Sequence, residues 1–108
     1  MKTEDTSVLI DLGRMPDSIG HVVDKRNRMK RIYDDGDISR IVDWVEQKIG
    51  SIPDGTDVYL IGTLPTWMAM SIGIAVYRDT RIRRLLNGVP NSSQFVVFDR
   101  TIATEAMA

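Results

Sequence analysis

The sequence predicts a small α/β domain in which a short, mostly parallel sheet is flanked by helices in a three-layer, Rossmann-like arrangement. Three apolar runs of strand length, residues 7–12, 58–61 and 94–98, are separated by segments whose apolar residues recur at steps of three and four. Strands that alternate with helices are typical of a parallel sheet covered on both faces. The length of 108 residues predicts one domain, residues 1–108, with a single core.

The first predicted strand is followed by an ambiguous segment, residues 19–33. Its apolar residues fall at helical steps, which favours a helix. A hairpin built from residues 20–23 and 29–33 is the alternative, because Gly20 and two adjacent valines weaken a helix. The sequence leaves helix and hairpin open, with the helix favoured.

A second helix is predicted from Ile38 to Ile49, where apolar residues again recur at steps of three and four. Asp37 is the predicted N-cap, and Gly50 ends the helix. The acidic run before it, DDGD at residues 34–37, lacks a further ligand at the spacing of a calcium loop. A turn is therefore predicted there.

The uncharged stretch from residue 58 to residue 77 is predicted to form the centre of the fold. It combines a buried strand, a turn at Gly62 and a helix that starts near Pro65, since proline is tolerated in the first helical turn. Helix is predicted to continue or restart through residues 78–86. The third strand, residues 94–98, ends on Asp99 and Arg100.

The same uncharged stretch has the length of a membrane span, about twenty residues. Gly62, Pro65 and the hydroxyl side chains of Thr63, Thr66 and Ser71 argue against a span, so no membrane partner is expected. The chain has no cysteine and starts with acidic residues rather than an apolar leader. A cytoplasmic location is the resulting expectation.

The predicted topology brings three strand ends to one edge of the sheet, where ligands of such sheets bind. The three ends are residues 11–14, residues 62–65 and the pair Asp99 and Arg100. Arg14, Thr63 and Arg100 are expected to converge beside the N–H groups of the central helix, in a positively charged cup for a phosphate-bearing ligand. Trp67 either stacks on a base or belongs to the core, and the core is favoured.

The sequence contains few of the residues and motifs on which classical catalysis depends. His21 is the only histidine and cysteine is absent, so neither a metal nor a cofactor is expected. The glycine fingerprints of dinucleotide and nucleoside-triphosphate sites are also absent. Cleavage of an RNA-like phosphodiester by the ligand's own 2′-hydroxyl needs only orientation and charge stabilisation. Arg14, Thr63 and Arg100 are the candidate catalytic residues for that reaction.

The corner at residues 62–67, GTLPTW, with an apolar helix after it and a last strand that ends in an acid, resembles the small CRISPR-associated ring nucleases and their relatives. The resemblance covers about the second half of the chain. It implies a CARF-like fold, a role in antiviral defence, and a homodimer that binds a cyclic oligoadenylate second messenger on its two-fold axis. The resemblance carries over Gly62, Pro65, Trp67 and Asp99 as ligand-binding residues, and Arg100 matches loosely; Thr63 and Leu64 of the same corner complete the candidate ligand-binding set.

The resemblance has one clear departure, in the segment YRDTRIRRLLNG at residues 77–88. The metal-dependent members of these families carry histidines after the central helix, and this segment has none. The implied activity is therefore metal-independent cleavage by 2′-hydroxyl attack, or binding without cleavage as a sensor or sponge. Whether the chain is an enzyme stays open.

Two other hypotheses come from the residues alone. Basic clusters at residues 25–31 and 78–84 are compatible with a nucleic-acid-binding or protein-interaction module. The net charge of −1 makes linear nucleic acid the less favoured partner. A small structural subunit that docks its apolar corner on a partner is the third hypothesis.

Overall fold

The computed structural model describes residues 6–27 and 30–101. Arg28 and Met29, which belong to the predicted basic cluster and to the hairpin alternative, lie outside the described residues. The strands are β1 (Ser7–Asp11), β2 (His21–Val22), β3 (Arg31–Ile32), β4 (Thr56–Ile61), β5 (Ile82–Gly88) and β6 (Gln94–Asp99). The helices are α1 (Asp37–Ile49) and α2 (Thr66–Arg78), and a 3-10 turn covers Leu12–Arg14.

The main sheet has the strand order β1-β4-β5-β6. β1 and β4 are parallel, with Leu9 opposite Tyr59, and β4 and β5 are also parallel. β6 is antiparallel to β5. β2 and β3 form a separate two-stranded hairpin. The end of the sheet at which β1, β4 and β5 finish is called the carboxyl edge below, and the opposite end is called the amino edge.

Both helices lie on one face of the sheet. α1 connects β1 to β4 and α2 connects β4 to β5, so the two crossovers step across the sheet in the same direction. Right-handed crossovers of this kind place their helices on the same side, and α1 packs directly on α2. The predicted α/β class with a short, mostly parallel sheet is confirmed. The described residues form two layers, however, where the sequence analysis expected three.

The hydrophobic core lies between this face and the two helices. In β1, Ile10 is buried in it while its neighbour Leu9 is half exposed, as the alternation of a strand requires. Each large aliphatic side chain buried here contributes about 1.5–3 kcal/mol relative to an exposed one. The central members of the core are Ile10, Ile41, Val45, Val58, Met68, Ile72, Val76, Ile82 and Leu85.

Residues 21–22 and 31–32 form a hairpin, and the described part of residues 19–33 does not contain the favoured helix. The guanidinium of Arg31 explains the outcome, because it is buried and donates hydrogen bonds to three backbone carbonyls. They belong to Met15 (2.8 Å), Pro16 (2.7 Å) and Ile19 (2.7 Å). These carbonyls lie in an irregular segment and need donors from elsewhere in the chain. Arg31 thus stabilises the fold from inside. It does not belong to the exposed basic cluster that the sequence predicts.

The segment after α2 is a strand, which corrects the predicted continuation of the helix. α2 ends at Arg78, and β5 begins at Ile82. The pairing of β5 with β4 skips Arg83, which is an extra residue in the ladder. This bulge puts Ile82 and Leu85 on the same buried side at a spacing of three. A strand with a bulge therefore imitates the helical spacing on which the prediction depended.

The direction of the last strand is also a correction, since the sequence analysis expected all three strand ends at one edge. β6 follows β5 after residues 89–93 only, and a connection this short closes a hairpin. A parallel strand would need a crossover of about a dozen residues or more. Gly88 makes the turn possible, because its φ is 138° and a Cβ there would lie 2.5 Å from the carbonyl oxygen of Ser93. The carboxyl end of β6 therefore lies at the amino edge.

The central corner has the predicted order of strand, turn and helix. β4 ends at Ile61, and α2 begins at Thr66, directly after Pro65. Gly62 turns the chain with a φ of 109°, in the region that favours glycine. Within the described residues, neither this helix nor α1 is both long and apolar enough to cross a bilayer.

Candidate functional site

The carboxyl edge brings two of the three predicted strand ends together. Asp11 at the end of β1 lies opposite Ile61 at the end of β4, so the segments that follow these residues start side by side. The first segment is the 3-10 turn, which Asp11 caps by accepting a hydrogen bond from the Gly13 N–H at 2.8 Å. The second is the corner at residues 62–65. Arg14 and Thr63 thus belong to neighbouring loops.

The guanidinium of Arg14 is the prominent charge of this edge. Its side chain is 84% exposed, and its Nε lies 3.7 Å from Oδ2 of Asp11, which is itself partly exposed. An ion pair of this kind in water contributes little free energy, about 0–1 kcal/mol. The guanidinium can therefore leave Asp11 for an anionic ligand at small cost.

The start of α2 adds neutral donors beside Arg14. Pro65 precedes the helix, no described side chain caps it, and its first turn contains no acidic residue. The first N–H groups of such a helix point outward with the positive end of its dipole. Trp67 in this turn is 42% exposed and lies outside the core, which contradicts the favoured core interpretation. Leu64 is the member of the corner that packs against the core.

Arg100 and Asp99 are not part of this edge, which removes two of the predicted site residues from the cup. Arg100 lies at the amino edge, where its Nε donates to the carbonyl of Ile82 (2.7 Å) and its Nη2 donates to the carbonyl of Tyr77. Its guanidinium also lies over the Tyr77 ring, 4.3 Å from the centroid. Asp99 accepts a hydrogen bond from the Thr101 N–H at 2.9 Å. Arg100 therefore fixes the end of α2 to β5 and β6.

The arginines of β5 are engaged with a buried carboxylate. Asp57 is 4% exposed and accepts hydrogen bonds from Arg83 Nε (3.0 Å), Arg83 Nη2 (2.7 Å) and Arg84 Nη2 (2.7 Å). Burial raises the pKa of Asp57, but the bonds from the two guanidinium groups outweigh it and hold the pKa below the ordinary value. The bulge at Arg83 is what lets consecutive arginines reach one carboxylate. Arg81 in turn pairs with Asp79, so most of the basic run at residues 78–84 is engaged with carboxylates of the fold.

The acidic run DDGD forms the start of α1. The helix begins at Asp37, one residue earlier than predicted, and Gly36 takes the capping position. The Asp37 carboxylate is buried and accepts hydrogen bonds from the N–H groups of Gly20 (2.9 Å) and Asp34 (2.9 Å). Burial raises the pKa of Asp37, but these bonds and Arg40 lower it by more. Asp37 thus ties the hairpin to α1, and the described residues contain no cluster of three or more histidine or acidic side chains able to hold a metal ion.

An apolar groove of about 910 Å³ lies between α2 and β6, and the sequence analysis did not identify it. It opens on the helix-covered face, beyond α2, where none of the described helices covers β6. Residues that line it include Leu60, Leu64, Gly73, Ile74, Leu85 and Phe98. The signal was present in the sequence, since Met70, Ile74 and Tyr77 follow at steps of four and three. The sequence analysis places these three residues in the core because it treats the helix as covered on all sides.

The carboxyl edge has the chemistry of an anion site. It offers one guanidinium, the hydroxyl of Thr63, free helix N–H groups and one exposed indole. This set can bind a phosphate and stack on a base. Neither protein-family models, nor curated proteins, nor solved structures show a match to this chain.

Proposed function

We propose that the chain binds a cyclic oligoadenylate as a homodimer, through the carboxyl edge of its sheet. The observation that carries this proposal is the placement of Arg14, nearly fully exposed, in the loop next to the one that leads into α2. Both groups favour an anion, and neither is committed to a strong partner within the described part of the chain. The site differs from the cup expected from the sequence, because Arg100 and Asp99 do not contribute.

Each part of the ligand has a matching group at this edge. A phosphate of the ring accepts hydrogen bonds from Arg14, from the Thr63 hydroxyl and from the first N–H groups of α2. An adenine stacks on the exposed ring of Trp67. Gly62 and Pro65 shape the turn that presents these donors. A ring of several nucleotides is larger than one such edge, which is why two copies are proposed around it.

Metal-independent cleavage is the second part of the proposal. The 2′-oxygen of one nucleotide attacks the adjacent phosphorus, the P–O2′ bond forms, the P–O5′ bond breaks, and the proton of the 2′-hydroxyl passes by way of water to the 5′-oxygen. Arg14 and Thr63 would orient the phosphate in line and stabilise its charge. Arg100, the third predicted catalytic residue, is excluded because its guanidinium is engaged with backbone carbonyls at the amino edge.

Calorimetric titration with cyclic tetra- and hexa-adenylate, with chromatography of the products, tests both parts. We expect Arg14→Gln to weaken binding about tenfold or more, the loss typical of a charge-assisted hydrogen bond. Trp67→Ala should weaken it by a similar factor. Arg26→Gln is the matched control, since Arg26 is an exposed arginine of the hairpin. If the wild-type protein shows no heat and no turnover with either ring, the proposed function is wrong.

Binding of linear nucleic acid is the competing function, and the described arginines do not favour it. Arg31, Arg83 and Arg84 are taken up by internal partners. Lys25 and Arg26 remain exposed in the hairpin. Affinity for linear RNA that falls steeply with salt, and that Arg26→Gln reduces, would favour this competing function.

A further inference from the structure

We infer that the groove between α2 and β6 is the interface at which a second copy of this chain docks. The interface is here called the α2–β6 surface, and it consists of Met70, Ile74, Tyr77, Phe95 and Val97. It supplies the contact that the homodimer of the proposed function requires, and in that sense it rests on the proposed function. Its own basis is the exposure, shape and charge of these residues.

The first observation is how much apolar surface is left uncovered. Each of the five side chains is more than half exposed, from 54% for Tyr77 to 73% for Phe95. Side chains of this size bury about 150–250 Å² when fully covered, so the patch presents on the order of 600 Å² per copy. Two copies together reach about 1,200 Å², the lower limit of a specific and stable interface. A patch of about 600 Å² is at the upper end of the range for the largest patch on a monomeric protein, and such patches are often functional.

The second observation is that the surface combines an exposed aromatic side chain with a groove beside it. Phe95 projects at the start of β6 and does not line the groove, while Ile74 and Phe98 form part of the groove wall. A two-fold axis beside β6 lets Phe95 of each copy enter the groove of the other. Such an isologous contact closes after two copies.

The third observation is the absence of charge in the sequence that forms the patch. Residues 67–77 of α2 and residues 94–98 of β6 contain no charged side chain, and Arg78 at the end of α2 is the charged residue that lines the groove. A surface that meets its own copy brings every charge against itself, so an uncharged patch avoids repulsion. A partner of different sequence would more often be selected by complementary charges, which this patch lacks.

The fourth observation concerns β6 as an edge strand. In the described part of the chain, β6 has a strand only on its β5 side. Its sequence QFVVF has no lysine or proline, which commonly protect exposed edges from other chains. The bulge at Val97 breaks the regular ladder of this strand and turns a second apolar side chain into the groove. The second copy is therefore held by side-chain packing on the α2–β6 surface, without a continuous sheet across the two copies.

Light scattering after size-exclusion chromatography, without ligand and over a concentration series, tests the inference. The wild-type chain should elute as a dimer. Phe95→Glu and Ile74→Glu should each be monomeric, with unchanged circular dichroism because both residues are exposed. Ile32→Glu is the matched control, since Ile32 is 65% exposed on the hairpin, and it should remain dimeric. A monomeric wild type at every concentration, or a dimeric Phe95→Glu variant, would overturn the inference.

Cysteine cross-linking gives a second readout that does not depend on charge. The chain has no cysteine, so a single Phe95→Cys or Ile32→Cys substitution introduces the only thiol. Oxidation, or treatment with a short bifunctional reagent, should link Phe95→Cys chains into covalent dimers. Ile32→Cys chains should stay monomeric on a denaturing gel. Equal cross-linking of both variants would contradict the inference. Failure of ligand binding in a proven dimer would instead count against the proposed function alone.

Discussion

The buried ion cluster of Asp57 with Arg83 and Arg84 allows a quantitative prediction for stability. Replacing Asp57 by asparagine keeps the shape of the side chain but removes its charge, and it turns an amide NH₂ group toward guanidinium donors. The carboxylate accepts hydrogen bonds of 2.7–3.0 Å from both arginines, which are each about one-third exposed. Breaking a buried pair costs about 3–5 kcal/mol, and partial exposure of the arginines places this case at about 3 kcal/mol.

Urea denaturation followed by circular dichroism measures this loss in free energy of unfolding. For a domain of this size, about 3 kcal/mol corresponds to a fall of roughly 10–20 °C in melting temperature. Asp43→Asn is the matched control, because Asp43 is exposed on α1 and should change stability by less than about 0.5 kcal/mol. A loss for Asp57→Asn that does not exceed the loss for the control would refute the reasoning.

The pH dependence of the same variant gives a second check. The pKa of Asp57 is lower in the folded protein than in the unfolded chain, where it is about 3.9. The carboxylate therefore contributes its stability fully above that pH and loses it as the pH falls through the folded pKa. The difference between wild type and Asp57→Asn should be constant from neutral pH to about pH 5 and shrink below about pH 4. A difference that grows on acidification would contradict the assignment.

Three further substitutions have defined outcomes. Arg31→Met removes the donor of three backbone carbonyls and should lower the free energy of unfolding by about 3 kcal/mol in urea titrations. Gly88→Ala should lower it by more than about 2 kcal/mol, because the added Cβ meets the Ser93 carbonyl oxygen; Gly55→Ala, at a positive φ with open space around it, should cost less. Arg100→Gln should lower the melting temperature and leave the affinity for the cyclic ligand, measured by calorimetry, unchanged. A loss of affinity would mean that Arg100 is part of the binding site.

The elements that could be predicted from the sequence are those whose pattern has one physical solution. α1 shows a clean apolar stripe that ends at Gly50, and the structure has the helix within one residue of the prediction. The central corner could also be predicted, because Gly62 and Pro65 interrupt an apolar run. Arg14 and Thr63 were placed at the same edge correctly, since both follow parallel strands.

The errors have a common origin in contacts between residues distant in the chain. The bulge at Arg83 lets two consecutive arginines bond to Asp57, which lies opposite Arg84, and this contact cannot be seen in residues 78–86 alone. Arg31 looked like a surface charge because the carbonyls that it binds are 12 to 16 residues away. The error in the direction of β6 has a different origin. The short connection at residues 89–93 already required a hairpin, and that signal was overlooked.

The charged contacts described among β4, β5, β6 and α2 lie at the amino edge. They involve Asp57, Asp79 and Arg100, whereas Arg14 and Thr63 stand at the far end of the strands. The changes in free energy caused by substitutions at well-separated positions are usually additive, so the two ends vary independently. If the proposed site is correct, its end of the sheet can therefore accumulate changes in ligand preference while the opposite end keeps the protein folded, a division that would let selection alter recognition without endangering the scaffold.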